Sequence, residues 1–195
     1  ALAKERSGLE FLSGIPGTIG GALRMNAGAY DREIANVLIT AEAIDRHGNT
    51  HTVDVDELDF SYRHSKAPPD WIFTGATFRA VPGDKDSIVE KMNEIAAMRE
   101  QSQPIRSRTG GSTFKNTAEL KAWELIEAAG CRGLRVGDAV VSRQHCNFLI
   151  NLGKASARDI ERLGAEIRQR VHEKSGVILQ WEIDRIGLTE EEAGS

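Results

Sequence analysis

Apolar positions change period several times along the 195-residue chain, and each change marks an element. Val37 to Asp45 and Thr50 to Val55 are extended runs on either side of His47-Gly48-Asn49, a pattern that predicts a β-hairpin. Trp71 to Val81 is another β-branched and aromatic run, ended by Pro82-Gly83-Asp84. From Asp86 to Arg99 the period becomes helical: Ile88, Val89, Met92, Ile95 and Ala96 share a face, and Pro104 stops the helix. Lys121 to Ala129 predicts a short helix closed by Gly130, with Leu125 and Ile126 in the core. Val136 to Val141 and Phe148 to Leu152 read as short extended runs. Ser156 to Lys174 is the clearest helix, because Ile160, Leu163, Ile167 and Val171 form one stripe while Arg158, Glu161, Arg168 and Gln169 stay outside. Gly176 caps it, Val177 to Ile186 returns as a last strand, and the acidic tail after Leu188 frays. Strands and helices without regular alternation give an α+β chain with helices beside a mixed or antiparallel sheet.

Composition narrows the class. With 40% hydrophobic and 28% charged residues the chain can bury a sizeable core. A net charge of −4, with 25 basic residues dispersed along the sequence, argues against a nucleic-acid surface. No apolar run approaches the ~18 residues of a membrane span, and Ala1-Leu2-Ala3-Lys4-Glu5-Arg6 lacks a signal-peptide core, so the expected setting is cytoplasmic, with no membrane insertion. Cys131 and Cys146 are expected to be reduced and packed. His47 and His51 are four apart but straddle a turn, and no metal site is expected.

Chemistry concentrates elsewhere. In Ser13-Gly14-Ile15-Pro16-Gly17-Thr18-Ile19-Gly20-Gly21-Ala22 four glycines surround one proline, which lets the backbone approach a ligand closely and turn its N–H groups toward an anion. The stretch matches neither a lysine-containing phosphate loop nor a strand-borne GxGxxG, so a purely structural turn stays open beside the anion site. Further motifs follow in order: Met25-Asn26-Ala27-Gly28-Ala29-Tyr30, Phe60-Ser61-Tyr62-Arg63-His64-Ser65, Gly110-Gly111-Ser112-Thr113-Phe114-Lys115-Asn116 and Leu179-Gln180-Trp181-Glu182-Ile183.

Together, and in this order, these segments resemble the UDP-N-acetylenolpyruvoylglucosamine reductase family, flavoenzymes of peptidoglycan precursor synthesis, from about Gly8 to Gly187. The resemblance implies a PCMH-like flavin-binding α+β domain, of which 1–108 would be the C-terminal part, a smaller α+β substrate-binding domain over 109–176, and a return of 177–195 to the first domain. It implies FAD as cofactor and NADPH as co-substrate, with UDP-N-acetylglucosamine enolpyruvate as the acceptor and a monomeric protein. Gly14, Ile15, Pro16, Gly17, Thr18, Gly20, Gly21, Asn26, Gly28 and Ala29 would then line the cofactor. Tyr62, Lys115, Asn116 and Gln144 would contact substrate. Arg63 would hold the enolpyruvyl carboxylate and the charge that develops there, Ser112 would donate the proton, and Glu182 would orient the carboxylate region and help manage that proton.

Each residue also has a plain structural reading. Arg63 could be a surface arginine, Ser112 a turn serine after two glycines, and Glu182 part of the wet face of a strand that it shares with Gln180 and Asp184, opposite Leu179, Trp181 and Ile183. In a regular strand Ser112 and Lys115 would face opposite sides, so Lys115 reads as a substrate contact. Arg143, His145 and Asn147 complete the polar set. Thr117 stands where the family pattern has proline after Phe-Lys-Asn, and the family's additional tyrosine-bearing loop is absent between Trp71 and Arg108, as in the shorter subclass. The chain reads as N-terminally truncated, without the first glycine-rich flavin segment, so this portion alone is expected to bind FAD weakly or not at all and to be inactive. A catalytically inactive nucleotide-sugar or flavin-binding module, or a purely structural α+β domain, is the alternative; the joint presence of Arg63, Ser112 and Glu182 favours the enzyme.

Overall fold

The structure is a computed structural model that describes residues 1–187; the acidic tail lies outside the described residues. The α+β class expected from the pattern is what the chain adopts. It divides into two compact units, Ala1–Met98 and Arg99–Ser195, with the division ahead of the basic Ile105 to Gly111 stretch.

The first unit contains β1 (Arg6–Ser7), α1 (Ile19–Arg24), β2 (Gly28–Ala29), β3 (Arg32–Glu33), β4 (Leu38–Ile44), β5 (Thr50–Asp54), β6 (Ile72–Phe78) and β7 (Val81–Pro82), and it ends within α2 (Lys85–Ser102). Its main sheet has the antiparallel order β5-β4-β6, and β1–β7 and β2–β3 form two small pairs. The expected hairpin is present, with Thr40 opposite Asp54 and Ile44 opposite Thr50. Its turn is organised by Asp45, whose carboxylate accepts from the His47 and Asn49 backbones at 2.8 and 2.9 Å and from Asn49 Nδ2 at 2.9 Å. Those bonds, the Asn49 side chain first, hold the Asp45 carboxyl well below the usual carboxylate range. A register shift against β6 between Leu38 and Thr40 lets Leu38 and Ala41, an odd number of residues apart, both join the core with Leu23, Ile34, Leu58 and Ala67.

Two expectations for this unit need correction. The run from Trp71 to Val81 is not one strand, because β6 ends at Phe78 and Val81–Pro82 leaves to pair with Arg6–Ser7. The α2 stripe is narrower than its sequence predicts: Ile88 and Ile95 are buried, whereas Ala96 is exposed. Two buried positions seven apart suffice for a helix that touches its neighbours along one edge.

In the second unit β8 (Thr109–Ser112), β9 (Arg135–Val136), β10 (Ala139–Val141) and β11 (Phe148–Asn151) form an antiparallel sheet of order β8-β11-β10-β9. Helices α3 (Ala122–Ala128) and α4 (Ala157–Ser175) pack with it around Phe114, Ile126, Val141, Leu163, Ile167, Val171 and Leu179. Helix α4 follows its sequence signals closely. Ser156 and Asp159 form a reciprocal capping box, and Gly176 ends the helix at φ 73°, a left-handed position that glycine takes without a Cβ clash. Arg168 departs from the expected outward face, because its Nε reaches the Leu179 carbonyl at 2.9 Å.

The run Val136 to Val141 is broken into β9 and β10 by Gly137, at φ 55°, with Arg135 closing the turn through the Gly137 carbonyl and the Asp138 carboxylate at 2.6 Å each. The expected last strand from Val177 to Ile186 is reduced to one bridge, Phe114 opposite Trp181, within the second unit. Its alternation was read correctly only around that bridge, where Leu179 is buried and Gln180 is exposed.

Candidate active site

In the first unit the glycine loop runs into α1, where Thr18 Oγ1 accepts from Gly21 N at 3.1 Å and caps the helix. Gly14 and Gly17 sit at φ 81° and 126°, so the loop needs glycine at both. Among the described residues the amides of Gly17, Thr18, Ile19 and Gly20 donate to no protein acceptor. A side chain at Gly17 would point into open space, which leaves the loop's surface clear for a ligand. Four adjacent undonated amides fit an anionic group such as the diphosphate of a dinucleotide.

Two residues expected to line the cofactor also have packing roles of their own. A Cβ on Gly28 would stand 2.6 Å from the Arg32 carbonyl oxygen, so the tight β2–β3 pairing itself demands glycine. Asn26 is fully buried at φ 41°, and both ends of its carboxamide are engaged by protein: Oδ1 accepts from Ala35 N at 3.0 Å and Nδ2 donates to the Ser61 carbonyl at 3.2 Å. It thereby ties the glycine segment to the turn that carries Arg63. Arg24, which sequence reasoning passed over, reinforces that tie by donating to the Ala67 and Trp71 carbonyls at 2.8 Å each.

The turn itself is tight. Ser61 and His64 exchange backbone hydrogen bonds of 3.0 and 3.1 Å, leaving Tyr62 and Arg63 at the two central positions. Arg63 adopts φ 55°, a left-handed conformation that favours glycine or asparagine, and its guanidinium lies 4.9 Å from the centre of the exposed Tyr62 ring. A strained, half-buried arginine at the tip of an anchored turn is a candidate site residue.

In the second unit, β8 delivers Ser112 to a short ladder. Lys115 N donates to the Gln180 carbonyl at 2.8 Å and Glu182 N donates to the Thr113 carbonyl at 2.9 Å, so Thr113 stands opposite Glu182 and Ser112 lies one residue further along the same strand. Ser112 is half-buried, and its hydroxyl bonds to no protein group among the described residues. Glu182 is half-buried as well. The ladder is fixed by Asn147, a residue whose importance its sequence context hid. Its Oδ1 accepts from Phe114 N at 3.0 Å, its Nδ2 donates to the Phe114 carbonyl at 2.8 Å, and its own carbonyl takes the Thr113 amide at 2.8 Å.

The remaining expected contacts divide. The Lys115 ammonium pairs with no carboxylate among the described residues. Asn116 Oδ1 accepts from Ala122 N at 2.9 Å at the start of α3, and its Nδ2 has no partner among the described residues. Gln144 Nε2 donates to the Glu100 and Gln101 carbonyls at 2.9 Å each, so one end of that side chain holds the last turn of α2, and Oε1 has no partner among the described residues. His145 packs edge-on against Phe148, and burial holds its ring below the usual imidazole range; Asn147 N donates to Nδ1, which places the proton on Nε2. Cys131 and Cys146 are buried thiols, pushed up by burial, and no group of metal-ligating side chains occurs among the described residues. A cleft of about 300 Å³ beside the ladder is lined by Arg108, Gly110, Thr113, Asn151, Ile160 and Ile183 among others.

An α+β chain with an anion-accepting loop in one unit, and an unengaged hydroxyl beside a carboxylate-bearing strand in the other, has the makings of a nucleotide-dependent enzyme. Comparison with known proteins identifies the family. Residues 103–186 match the family model described as UDP-N-acetylenolpyruvoylglucosamine reductase, C-terminal domain. The chain is 60% identical over 194 residues to the UDP-N-acetylenolpyruvoylglucosamine reductase of Rhodopseudomonas palustris (strain HaA2), covering 100% of this chain and 63% of that protein. It is 58% identical to the enzyme of the same name from Parvibaculum lavamentivorans, over 97% of this chain and 61% of that one. The crystal structure of the corresponding Thermus caldophilus reductase superposes with a TM-score of 0.84 at 38% identity, over 94% of this chain and 66% of that one. The chain belongs to the UDP-N-acetylenolpyruvoylglucosamine reductase family, and it spans less than two thirds of the length of these relatives.

Proposed function

We propose that the protein to which this chain belongs reduces UDP-N-acetylglucosamine enolpyruvate to UDP-N-acetylmuramate at the expense of NADPH, as a cytoplasmic, monomeric, FAD-dependent enzyme of peptidoglycan precursor synthesis. The observation that carries the reading is the Ser112 hydroxyl, unengaged among the described residues, one residue along from Thr113, whose backbone pairs with Glu182, on a stretch that also bears Lys115, which pairs with no carboxylate among the described residues. The relatives named for this reaction support the substrate. A binding module would keep the glycine loop, but it has no use for a proton donor.

A bound FAD would supply the hydride chemistry, linking NADPH to the terminal carbon of the enolpyruvyl group. The amides of Gly17 to Gly20 would hold its diphosphate. Hydride arrival leaves an electron pair shared between the carbon next to the carboxylate and the carboxylate oxygens. Arg63 stabilises that charge best, since a guanidinium fork can give two hydrogen bonds to one carboxylate. The Ser112 O–H supplies the proton to the carbon bearing the carboxylate, and the oxygen recovers a proton from solvent with Glu182 as the intermediary. One hydride and one proton thus saturate one double bond. Lys115, Asn116 Nδ2, Gln144 Oε1 and Tyr62 bind the nucleotide sugar.

The test uses the full-length protein. It should purify with a flavin absorbance spectrum and oxidise NADPH in proportion to added UDP-N-acetylglucosamine enolpyruvate. A flavin-containing protein that leaves this substrate unreduced would refute the assignment.

A further inference from the structure

Glu182 is held through its neighbour. The Trp181 ring lies against Phe114, centroids 4.8 Å apart, and the Arg185 guanidinium sits over it at 5.2 Å. On the α4 side the ring meets Gly164, in the middle of the helix and buried. A Cβ at Gly164 would overlap Trp181 Cη2 and stand 2.7 and 3.2 Å from Cζ3 and Cζ2. Helix-interior glycine costs about 1 kcal/mol relative to alanine, so the residue needs a compensating reason. Room for the indole supplies it. One helical turn further on, Arg168 Nε binds the Leu179 carbonyl at 2.9 Å, so α4 grips the same segment at a second point.

We propose that Gly164 and Trp181 form a size-matched positioning pair: the depth to which the indole seats against α4 sets the position of Glu182 along the Ser112 strand. The proposal rests on the reading of Glu182 as a group that works on the substrate. The three atoms nearest a Cβ at Gly164 are Cη2, Cζ3 and Cζ2, the outer edge of the six-membered indole ring, so the shorter phenyl ring at 181 makes room for a methyl group.

The experiment follows the two half-reactions of the full-length holoenzyme by stopped flow. Gly164→Ala should keep flavin content and the rate of flavin reduction by NADPH, yet slow reoxidation by the enolpyruvyl substrate by about 10²-fold, as expected for a displacement on the order of 1 Å. The double variant Gly164→Ala with Trp181→Phe should recover most of that loss. Trp181→Leu, which removes the lever from the other side and leaves α4 untouched, should slow reoxidation alone and serves where Gly164→Ala fails to fold. Wild-type reoxidation in Gly164→Ala or Trp181→Leu, or equal loss in both half-reactions without recovery in the double variant, overturns the proposal. Glu182→Gln separates the premises: slow reoxidation there with wild-type Gly164→Ala sinks only the positioning pair, whereas normal reoxidation in Glu182→Gln sinks both.

Discussion

Asn147→Ala tests how the Ser112 strand is held. Phe114 is 1% exposed, and its N–H and C=O both rely on the Asn147 carboxamide, at 3.0 and 2.8 Å. The bridge to Trp181 places the ladder hydrogen bonds on Thr113 and Lys115, so the β-pairing cannot take over these two groups. Leaving a buried donor and a buried acceptor without partners costs about 1–3 kcal/mol each. Water entering the vacated volume recovers part of this, so a net loss of about 3 kcal/mol is expected. For a chain of this length that corresponds to a fall in Tm of about 6–12 °C. Urea unfolding of the intact chain measures the loss, and hydrogen exchange locates it: the Phe114 amide should be protected in the parent and exchange far faster in the variant. A variant within about 0.5 kcal/mol of the parent, with Phe114 still protected, would refute the reasoning.

Other substitutions probe separate links. Arg63→Gly relieves the left-handed strain at φ 55° and should raise stability by about 1 kcal/mol while reducing turnover of the full-length enzyme; a loss of both would show that the turn is held by the side chain. Gly176→Ala places a Cβ at φ 73° and should destabilise α4 by about 1–2 kcal/mol in urea, with no effect expected if the cap could simply unwind. Burial lowers the His145 pKa, so the folded state binds fewer protons than the unfolded chain; stability is complete above the unfolded value of about 6.5 and falls as pH drops through it toward the lowered folded value. His145→Phe should flatten that part of the pH–stability curve, and an unchanged curve would assign the dependence to other groups.

How much of this was legible depends on the range of the interaction. The hairpin around Asp45 and the capped helix from Ser156 to Gly176 are written in neighbouring residues, and both elements form with nearly the boundaries that the pattern gives. The four motifs were equally local, and they led to the family. What failed was non-local. Gly137 splits an apparently continuous apolar run, because Arg135 and Asp138 complete a turn that no alternation rule detects. Residues 177–186 alternate like a strand, but only Trp181 finds a partner in a ladder. Asn26 and Asn147 carry no signal of burial in their polar motifs, yet each is an internal clamp whose buried carboxamide engages backbone groups. Gly164 was hidden inside a strong helical stripe, and only the indole pressed against it explains it.

The central claim is that Ser112 gives the proton that completes reduction, and single-turnover stopped flow on Ser112→Ala in the full-length enzyme tests it most directly. Flavin reduction by NADPH should proceed at the parent rate, while reoxidation by the enolpyruvyl nucleotide sugar should slow by about 10²–10⁴-fold. Reoxidation at the parent rate, or the same loss in both half-reactions, would contradict it.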